Sequence, residues 1–441
     1  MTMWYARPAA RRWQCAAEPE VASRHGGAAP GTGAPSSAGS PSGAGSSSGA
    51  GLLPAAAAFH ARLPGYRPTP LIELPGLAAE LGVGRLFAKD ESARFGLGAF
   101  KVLGASWAVC RLLADRAGVP AAGGLAAGGL AAGGPAGGGL AAGGLAGLRA
   151  LAAEAPVTLV TATDGNHGRA VARMARWLGL PARVYLPAAV HPGTADAIAA
   201  EGATVVHVDG SYDDAVARAA AFARREPAAE LVQDTGWEGY QRVPAWIVQG
   251  YATLFHEIDA QLRAAGVAAG PGLVAVPVGV GSLAQAAVAH YRGRTPGATP
   301  EVAPEPPAIL GVEPESAACV LASLLASELR SVPTGTTVMA GLNCGTPSGL
   351  AWPYLLAGMD AAIAVRDEDA ERAVADLGRL GVRAGPSGGA ALAGARRALT
   401  GAGSDHRRAE LGSHGRTVAV LLSTEGNGVS SSTTTARSGG T

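Results

Sequence analysis

Residues 94–109 read Arg94-Phe95-Gly96-Leu97-Gly98-Ala99-Phe100-Lys101-Val102-Leu103-Gly104-Ala105-Ser106-Trp107-Ala108-Val109. They hold one of only two lysines in the 441-residue chain; of its 35 Lys and Arg residues, all but Lys89 and Lys101 are arginine. A chain that uses arginine almost wherever it needs positive charge has kept lysine where arginine cannot serve. One such job is Schiff-base formation, because an amine can lose its proton and attack a carbonyl whereas a guanidinium stays protonated. The setting suits that role. Gly96 and Gly98 permit close backbone approach, and Phe100, Leu103, Trp107 and Leu112 form an apolar stripe at helical spacing, which puts Lys101 in the first turn of a helix.

Further along on either side, the chain alternates. Arg85–Ala88 reads as a short strand ending at Lys89-Asp90-Glu91, and the two adjacent carboxylates make an ion pair the expected fate of Lys89. After the lysine helix, strands are expected at 157–163, 182–186, 204–208 and 230–232, with helices at 169–178, 194–201 and 212–225 between them. The last of these opens with Ser211 and has Asp214 three residues on, a capping signature. Strands follow at 273–278, 308–312, 361–365 and 417–422. Such βα runs predict α/β architecture, with open parallel sheets covered by helices in two domains.

The rest of the composition excludes several classes. A formal net charge of +1 leaves no basic footprint for nucleic acid or a membrane surface. Cys15, Cys110, Cys319 and Cys344 are scattered without a C-x-x-C pair, so neither a metal site nor a disulfide framework is expected. The first twenty residues lack an apolar core of signal-peptide type, which predicts a cytoplasmic protein. Residues 4–15 are aromatic enough to dock on a surface, residues 26–51 have linker composition, and ordered sequence is expected to resume near Phe59. Residues 117–148 repeat AAGGL without a charge. Their glycine density disfavours a helix and their transfer energy is small, so they read as a flexible insertion rather than a membrane span. The tail beyond Asn427 is Ser, Thr and Gly and reads as disordered.

Four segments at expected strand ends carry candidate chemistry. Thr163-Asp164-Gly165-Asn166-His167-Gly168 opens a helix, where free N–H groups suit a substrate carboxylate, Asn166 can donate and Asp164 can act as a base; it reads equally as an Asx-turn cap. Gly279-Val280-Gly281-Ser282-Leu283 offers successive N–H groups and a hydroxyl to a phosphate, or is simply a tight βα turn. It lacks the third glycine of a dinucleotide fingerprint and the Gly-Lys-Thr of a P-loop. Ser423-Thr424-Glu425-Gly426-Asn427 and Gly385-Pro386-Ser387-Gly388-Gly389 are each as consistent with caps as with ligand contacts. Together with an activated lysine, a phosphate cradle, an asparagine and a terminal hydroxyl are what pyridoxal phosphate requires.

At these residues the chain resembles the fold-type II pyridoxal-phosphate enzymes of the tryptophan synthase beta-like group, and within them the diaminopropionate ammonia-lyase family. The carrying stretches are PGYRPTPL (64–71), KDESARFGLGAFKVLGASWA (89–108), TATDGNHGRAVA (161–172), QDTGWEGYQRVPAWIVQGY (233–251), VGVGSLAQA (278–286), GVEPE (311–315), MAGLNCGTPS (339–348) and LLSTEGN (421–427). TDGNHG and DTGWEGY are the specific ones; related dehydratases have Ser before GNH. The resemblance implies that Lys101 carries the cofactor, and that Gly279, Val280, Gly281, Ser282 and Leu283 hold its phosphate. Asn166 would bond its phenolic oxygen and Thr424, ahead of Ser423, would face its ring nitrogen. Asp164 and Asp234 would be the active-site carboxylates, and Thr163, Asp164, Gly165 and His167 would meet the substrate. It implies elimination of ammonia from 2,3-diaminopropionate to give pyruvate, with Asp164 holding the cationic β-amine, in a homodimer without a metal. A large cofactor domain would comprise 59–98 and 236–429, and a small one 99–235, between an extension (1–58) and a tail (430–441). GPSGG stands where the family more usually has SGESG, and STEGN where it has STEGD. The alternatives are a serine or threonine dehydratase of the same fold and a non-catalytic small-molecule-binding module; a nucleotide-binding regulator is weakened by the missing glycine.

Overall fold

A computed structural model describes residues 3–7, 52–119, 140–188, 190–293 and 305–426. The strands are β1 (Trp4–Ala6), β2 (Leu71–Glu73), β3 (Arg85–Asp90), β4 (Thr158–Ala162), β5 (Ala182–Pro187), β6 (Thr204–Val208), β7 (Ala229–Leu231), β8 (Leu273–Pro277), β9 (Ala308–Pro314), β10 (Ala361–Val365) and β11 (Val418–Ser423). They make a seven-stranded sheet in the order β1-β10-β9-β8-β11-β3-β2 and a four-stranded sheet in the order β6-β5-β4-β7. β8, β9 and β10 are buried along their whole length, as strands covered by helices on both faces must be, and their sequences are accordingly almost unbroken apolar runs. The four-stranded sheet is parallel throughout, with β4 flanked by β5 and β7. The seven-stranded sheet is parallel except at its edges, where β1 and β2 run antiparallel.

Those two edges differ from the expected all-parallel sheets. Trp4, Tyr5 and Ala6, read as part of an extension, pair with Ile363, Ala362 and Ala361 and cover the open edge of β10. Order also begins before Phe59: a helix runs from Leu52 to His60. A second correction concerns the AAGGL stretch, whose end is helical. The helix Leu140–Glu154 includes residues 140–148 and tolerates its glycines by breaking at Gly144, where φ is +51°. Residues 120–139, the linker 26–51 and the tail lie outside the described residues. The remaining elements fall within a few residues of expectation, and Ser211 and Asp214 form the anticipated capping box, Oγ accepting from the Asp214 amide at 3.2 Å and Oδ2 from the Ser211 amide at 2.8 Å.

The lysine helix spans Lys101–Arg116 and lies against Arg242–Ala264 at backbone contact. A methyl group at Gly104 would sit 2.5 Å from the Tyr251 ring, and one at Gly250 would sit 2.9 Å from the Gly104 Cα. Behind the same pair, the buried His60 imidazole bridges Thr253 Oγ1 (2.7 Å) and the Leu103 carbonyl (3.0 Å). Burial, helped by Arg94, drives His60 down to about 3, so it is a neutral strut.

Lys89 is ion-paired, but not with its sequence neighbours. Its ammonium donates to Glu257 Oε2 (2.6 Å), the Thr69 carbonyl (2.7 Å) and Gln261 Oε1 (2.9 Å). Successive strand residues face opposite ways, which carries Asp90 to the other side of β3, where it accepts from the Ser92 amide at 2.9 Å. Glu91 pairs instead with Arg94, whose guanidinium also makes two bonds to Glu257, at 2.6 and 2.8 Å. Two cations and two carboxylates thus balance in a buried network that fixes the start of the loop leading to Lys101.

Candidate active site

A cavity of about 1860 Å³ opens beside the ends of both sheets. Among the segments that reach it are the loop before Lys101, the turn 163–167, the end of β7 at Asp234, the turn 278–283 and the end of β11 at Thr424. This is the carboxyl edge of the parallel strands, where α/β sheets hold ligands. Asp164 and Asp234, 70 positions apart, follow the neighbouring strands β4 and β7, so the chain between them folds back to bring both to one wall.

Lys101 forms a short ion pair with Asp234. Burial favours the neutral amine, but the Asp234 carboxylate outweighs it, with Tyr251 and Asp164 adding to the pull, and holds the ammonium above its usual range. Burial likewise opposes charge on Asp234, and the Lys101 ammonium overcomes it to hold that carboxyl at about 2. Asp164 is different. Burial lifts it to about 6 against the attraction of Lys101, and Asp234 adds to the rise. The two carboxyl groups therefore differ in proton affinity: Asp234 is a fixed counter-ion, whereas Asp164 gains and loses a proton near neutrality.

His167 Nε2 donates to the Val232 carbonyl at 2.7 Å, which leaves Nδ1 as an acceptor 3.9 Å from Asp234 Oδ2. Burial lowers the imidazole's proton affinity. Thr163 Oγ1 accepts from the Gly165 amide at 3.0 Å and fixes the turn. Asn166 also reaches the cavity, where its amide donates to Glu425 Oε2 at 2.5 Å. Thr424 lines the cavity, and its carbonyl accepts from the Phe100 amide at 3.2 Å.

The turn 279–283 meets the demands of an anion cradle. Gly281 has φ +97°, and a methyl group there would fall 2.6 Å from Leu355 Cδ1; one at Gly279 would lie 3.0 Å from Cys344 Sγ. Ser282 begins the helix Ser282–Arg292, whose first-turn amides face the cavity end, and its hydroxyl donates to the Asp234 carbonyl at 2.8 Å. The cradle, Lys101 and Thr424 line one space, and this set of residues fits pyridoxal phosphate. Among the described residues no group of three or more His, Cys, Asp or Glu is arranged to hold a metal ion.

Comparison with known proteins agrees with that fit. Residues 62–422 match the family model described as pyridoxal-phosphate dependent enzyme. The chain belongs to this family. Within the pyridoxal-phosphate dependent enzymes it is 36% identical over 301 residues to the diaminopropionate ammonia-lyase of Escherichia coli K12, covering 68% of each chain. The human serine dehydratase-like protein is 31% identical over 223 residues, 50% of this chain and 60% of that one. The crystal structure of the Escherichia coli diaminopropionate ammonia lyase in complex with D-serine superposes with a TM-score of 0.72 at 32% identity, covering 85% of this chain and 89% of that one. The fold is the fold-type II arrangement of this family, two open parallel-sheet units with the cavity at their strand ends.

Several cavity residues escaped sequence reading. Tyr251 lines the cavity with a buried hydroxyl that has no hydrogen-bond partner among the described residues. Tyr212 lines it too, its hydroxyl accepting from Gln233 Nε2 at 2.8 Å. Glu425 and Ser387 lie in quoted motifs without an assigned role, yet both face the cavity, and the Ser387 amide donates to Glu425 Oε1 at 3.2 Å. Tyr251 closes the quoted stretch 233–251 but has no assigned role there: mid-helix in an apolar run, it reads as core.

Proposed function

We propose that this enzyme is a diaminopropionate ammonia-lyase that converts 2,3-diaminopropionate to pyruvate and ammonia. The observation that carries the reading is the pairing of a charged Asp234–Lys101 couple with an Asp164 carboxyl at about 6 in one cavity. Lys101 would hold pyridoxal phosphate, the 279–283 amides its phosphate and Thr424 its ring nitrogen. Bound there, the cofactor supplies an electron sink for the pair left when a Cα proton departs.

The protein's own residues do the rest. Asp234 keeps Lys101 charged and oriented until the amine is needed, then retains the negative charge opposite it. Ionised Asp164 attracts the substrate's cationic β-amine, which an uncharged Ser in its place would hold less well. It can also accept a Cα proton, and Lys101 can do so from another direction, so each is suited to one enantiomer. Thr163, Gly165 and His167 shape the turn that receives the substrate carboxylate, with the helix N-terminus behind them favouring an anion. Departure of the β-nitrogen as ammonia leaves an unsaturated amine whose hydrolysis gives pyruvate and the second ammonia.

The two separate sheets support dividing the chain into a large unit (59–98 and 236–429) and a small one (99–235). We take the enzyme to be a cytoplasmic homodimer: free thiols at Cys110, Cys319 and Cys344 suit a reducing compartment, and the oligomeric state follows from the resemblance. Among the described residues no helix is long and apolar enough to cross a membrane. The direct test is pyruvate release from D- and L-2,3-diaminopropionate, with serine and threonine in parallel. Diaminopropionate should be turned over well above either hydroxy amino acid. Preference for serine or threonine would make the enzyme a dehydratase of the same fold.

A further inference from the structure

The loop 95–100 sets where Lys101 stands, and it is fastened on two sides. On one side it joins the seven-stranded sheet: the Gly98 carbonyl accepts from the Gly426 amide at 2.9 Å, and the Phe100 amide donates to the Thr424 carbonyl at 3.2 Å. On the other it is gripped by the helix Asn166–Leu178, which flanks the four-stranded sheet. Arg173 Nη1 donates to the Phe95 carbonyl at 3.1 Å, and Arg169 Nη1 to the Leu97 carbonyl at 3.2 Å. These arginines are four residues apart and so share one helix face. One carboxylate anchors both. Glu201 is 4% exposed and takes a bidentate pair from Arg173 at 2.5 and 2.6 Å; Arg169 Nε lies 3.6 Å from it and Arg176 Nη1 3.1 Å.

The gripped backbone needs holding. Phe95 has φ +50°, a left-handed conformation that costs a non-glycine residue about 1 kcal/mol or more. Gly96 and Gly98 follow at +71° and +83°. The Phe95 ring is fixed edge-on against Trp177, at 5.8 Å between centroids, and Trp177 belongs to the same helix as the arginines. That helix begins at Asn166 and His167, both at the cavity wall. One rigid element therefore carries cavity contacts at its start and the grip on the lysine loop along its first two turns.

We propose that Arg169 and Arg173, oriented by Glu201, are positioning residues that clamp the 95–97 carbonyls and thereby set the reach of Lys101 into the cavity. Neither guanidinium needs to touch substrate. The inference rests on the cofactor role of Lys101 in the functional reading above, and it adds that events at Asn166 and His167 are transmitted to Lys101 through a single helix.

The test uses the full-length enzyme with and without pyridoxal phosphate. In the cofactor-free protein, Arg173→Ala and Glu201→Gln should speed amide hydrogen exchange at 95–100 by roughly tenfold or more while leaving β8–β11 unchanged. In the loaded enzyme, the visible absorbance of cofactor joined to Lys101 should shift toward that of free cofactor, and kcat should fall about 10- to 100-fold with KM little changed. Arg173→Lys keeps the charge but cannot hold Glu201 bidentately and reach Phe95 at once, so it should fail to restore slow exchange. If Arg173→Ala does not fold, Arg169→Ala, at the more exposed guanidinium, tests the same grip. Wild-type exchange together with a wild-type cofactor spectrum in a folded variant overturns the clamp whatever the substrate is. Faster exchange and a shifted spectrum without turnover of diaminopropionate support the clamp and count only against the functional reading.

Discussion

Lys89 and Lys101 stand twelve residues apart in sequence, and each ammonium is paired with a carboxylate in the interior. Their surroundings nevertheless differ in kind. Lys89 spends all three N–H donors on Glu257, Thr69 and Gln261, inside a network whose charges cancel and whose hydrogen bonds are filled. Lys101 has Asp234 on one side and a cavity on the other. Burial dominates at Lys89 and lowers its proton affinity, yet no path leads a carbonyl to it. At Lys101 the proton affinity is raised, and the amine is within reach of a ligand. Access and unfilled donors, rather than the ease of losing a proton, separate the reactive lysine from the structural one.

Substitutions at these sites can break or sharpen that contrast. The largest effect is expected from Lys101→Ala, which should reduce turnover to background and abolish covalent attachment of pyridoxal phosphate. Lys89→Met should do the opposite, keeping the cofactor-linked absorbance but lowering the melting temperature. If Lys89→Met also removed covalent attachment, the assignment of roles would be wrong.

Next in size is Glu257→Gln. It leaves Lys89 and Arg94 short of counter-charge and should cost about 3–5 kcal/mol in denaturant unfolding at neutral pH. Burial opposes the Glu257 charge, but Arg94 and Lys89 hold the carboxyl at about 2, below its usual 4.5. Its contribution is thus fully present above about 4.5 and lost as pH falls from there toward 2. Wild-type stability should decline through that window and the variant's should decline less; parallel curves would remove Glu257 from the account.

The smallest effect is a pH limb. Asp164 at about 6 should make kcat/KM fall on acidification, by about tenfold between the plateau and pH 5. Asp164→Asn should abolish turnover of whichever enantiomer uses it as base, and for the other should erase that limb while weakening the hold on the β-amine. Equal loss of both enantiomers would sink the idea that Asp164 and Lys101 serve one each.

Much of this contrast was legible in the sequence, and the remainder was not for identifiable reasons. The βα alternation gave the central strands because β8 and β10 are buried on both faces and so carry unbroken apolar runs. Asp164 and the 279–283 turn were readable because each sits where a strand ends and a helix starts, and Lys101 because it is one of only two lysines and opens an apolar helix. The partner of Lys89 was misread because side-chain direction in a strand, and a contact 168 residues away, outweigh adjacency. The edge strand β1 has only three residues and pairs across more than 350 positions, so nothing local announces it. Tyr251 was hidden because a cavity-lining residue and a core residue obey the same helical spacing. The Arg169–Arg173 grip was missed because its targets are backbone carbonyls, which have no sequence signature.

The close approach of Gly104 and Gly250 carries a lesson for redesign. The depth at which the lysine helix sits is fixed by two missing side chains where it crosses the helix Arg242–Ala264, one of them against the Tyr251 ring that lines the cavity. Residues along the cavity wall can be exchanged to admit bulkier or differently charged amino acids, but a single added carbon at either glycine would push the reactive amine out of register with all of them. A library aimed at new substrates should therefore vary the wall and leave those two positions alone.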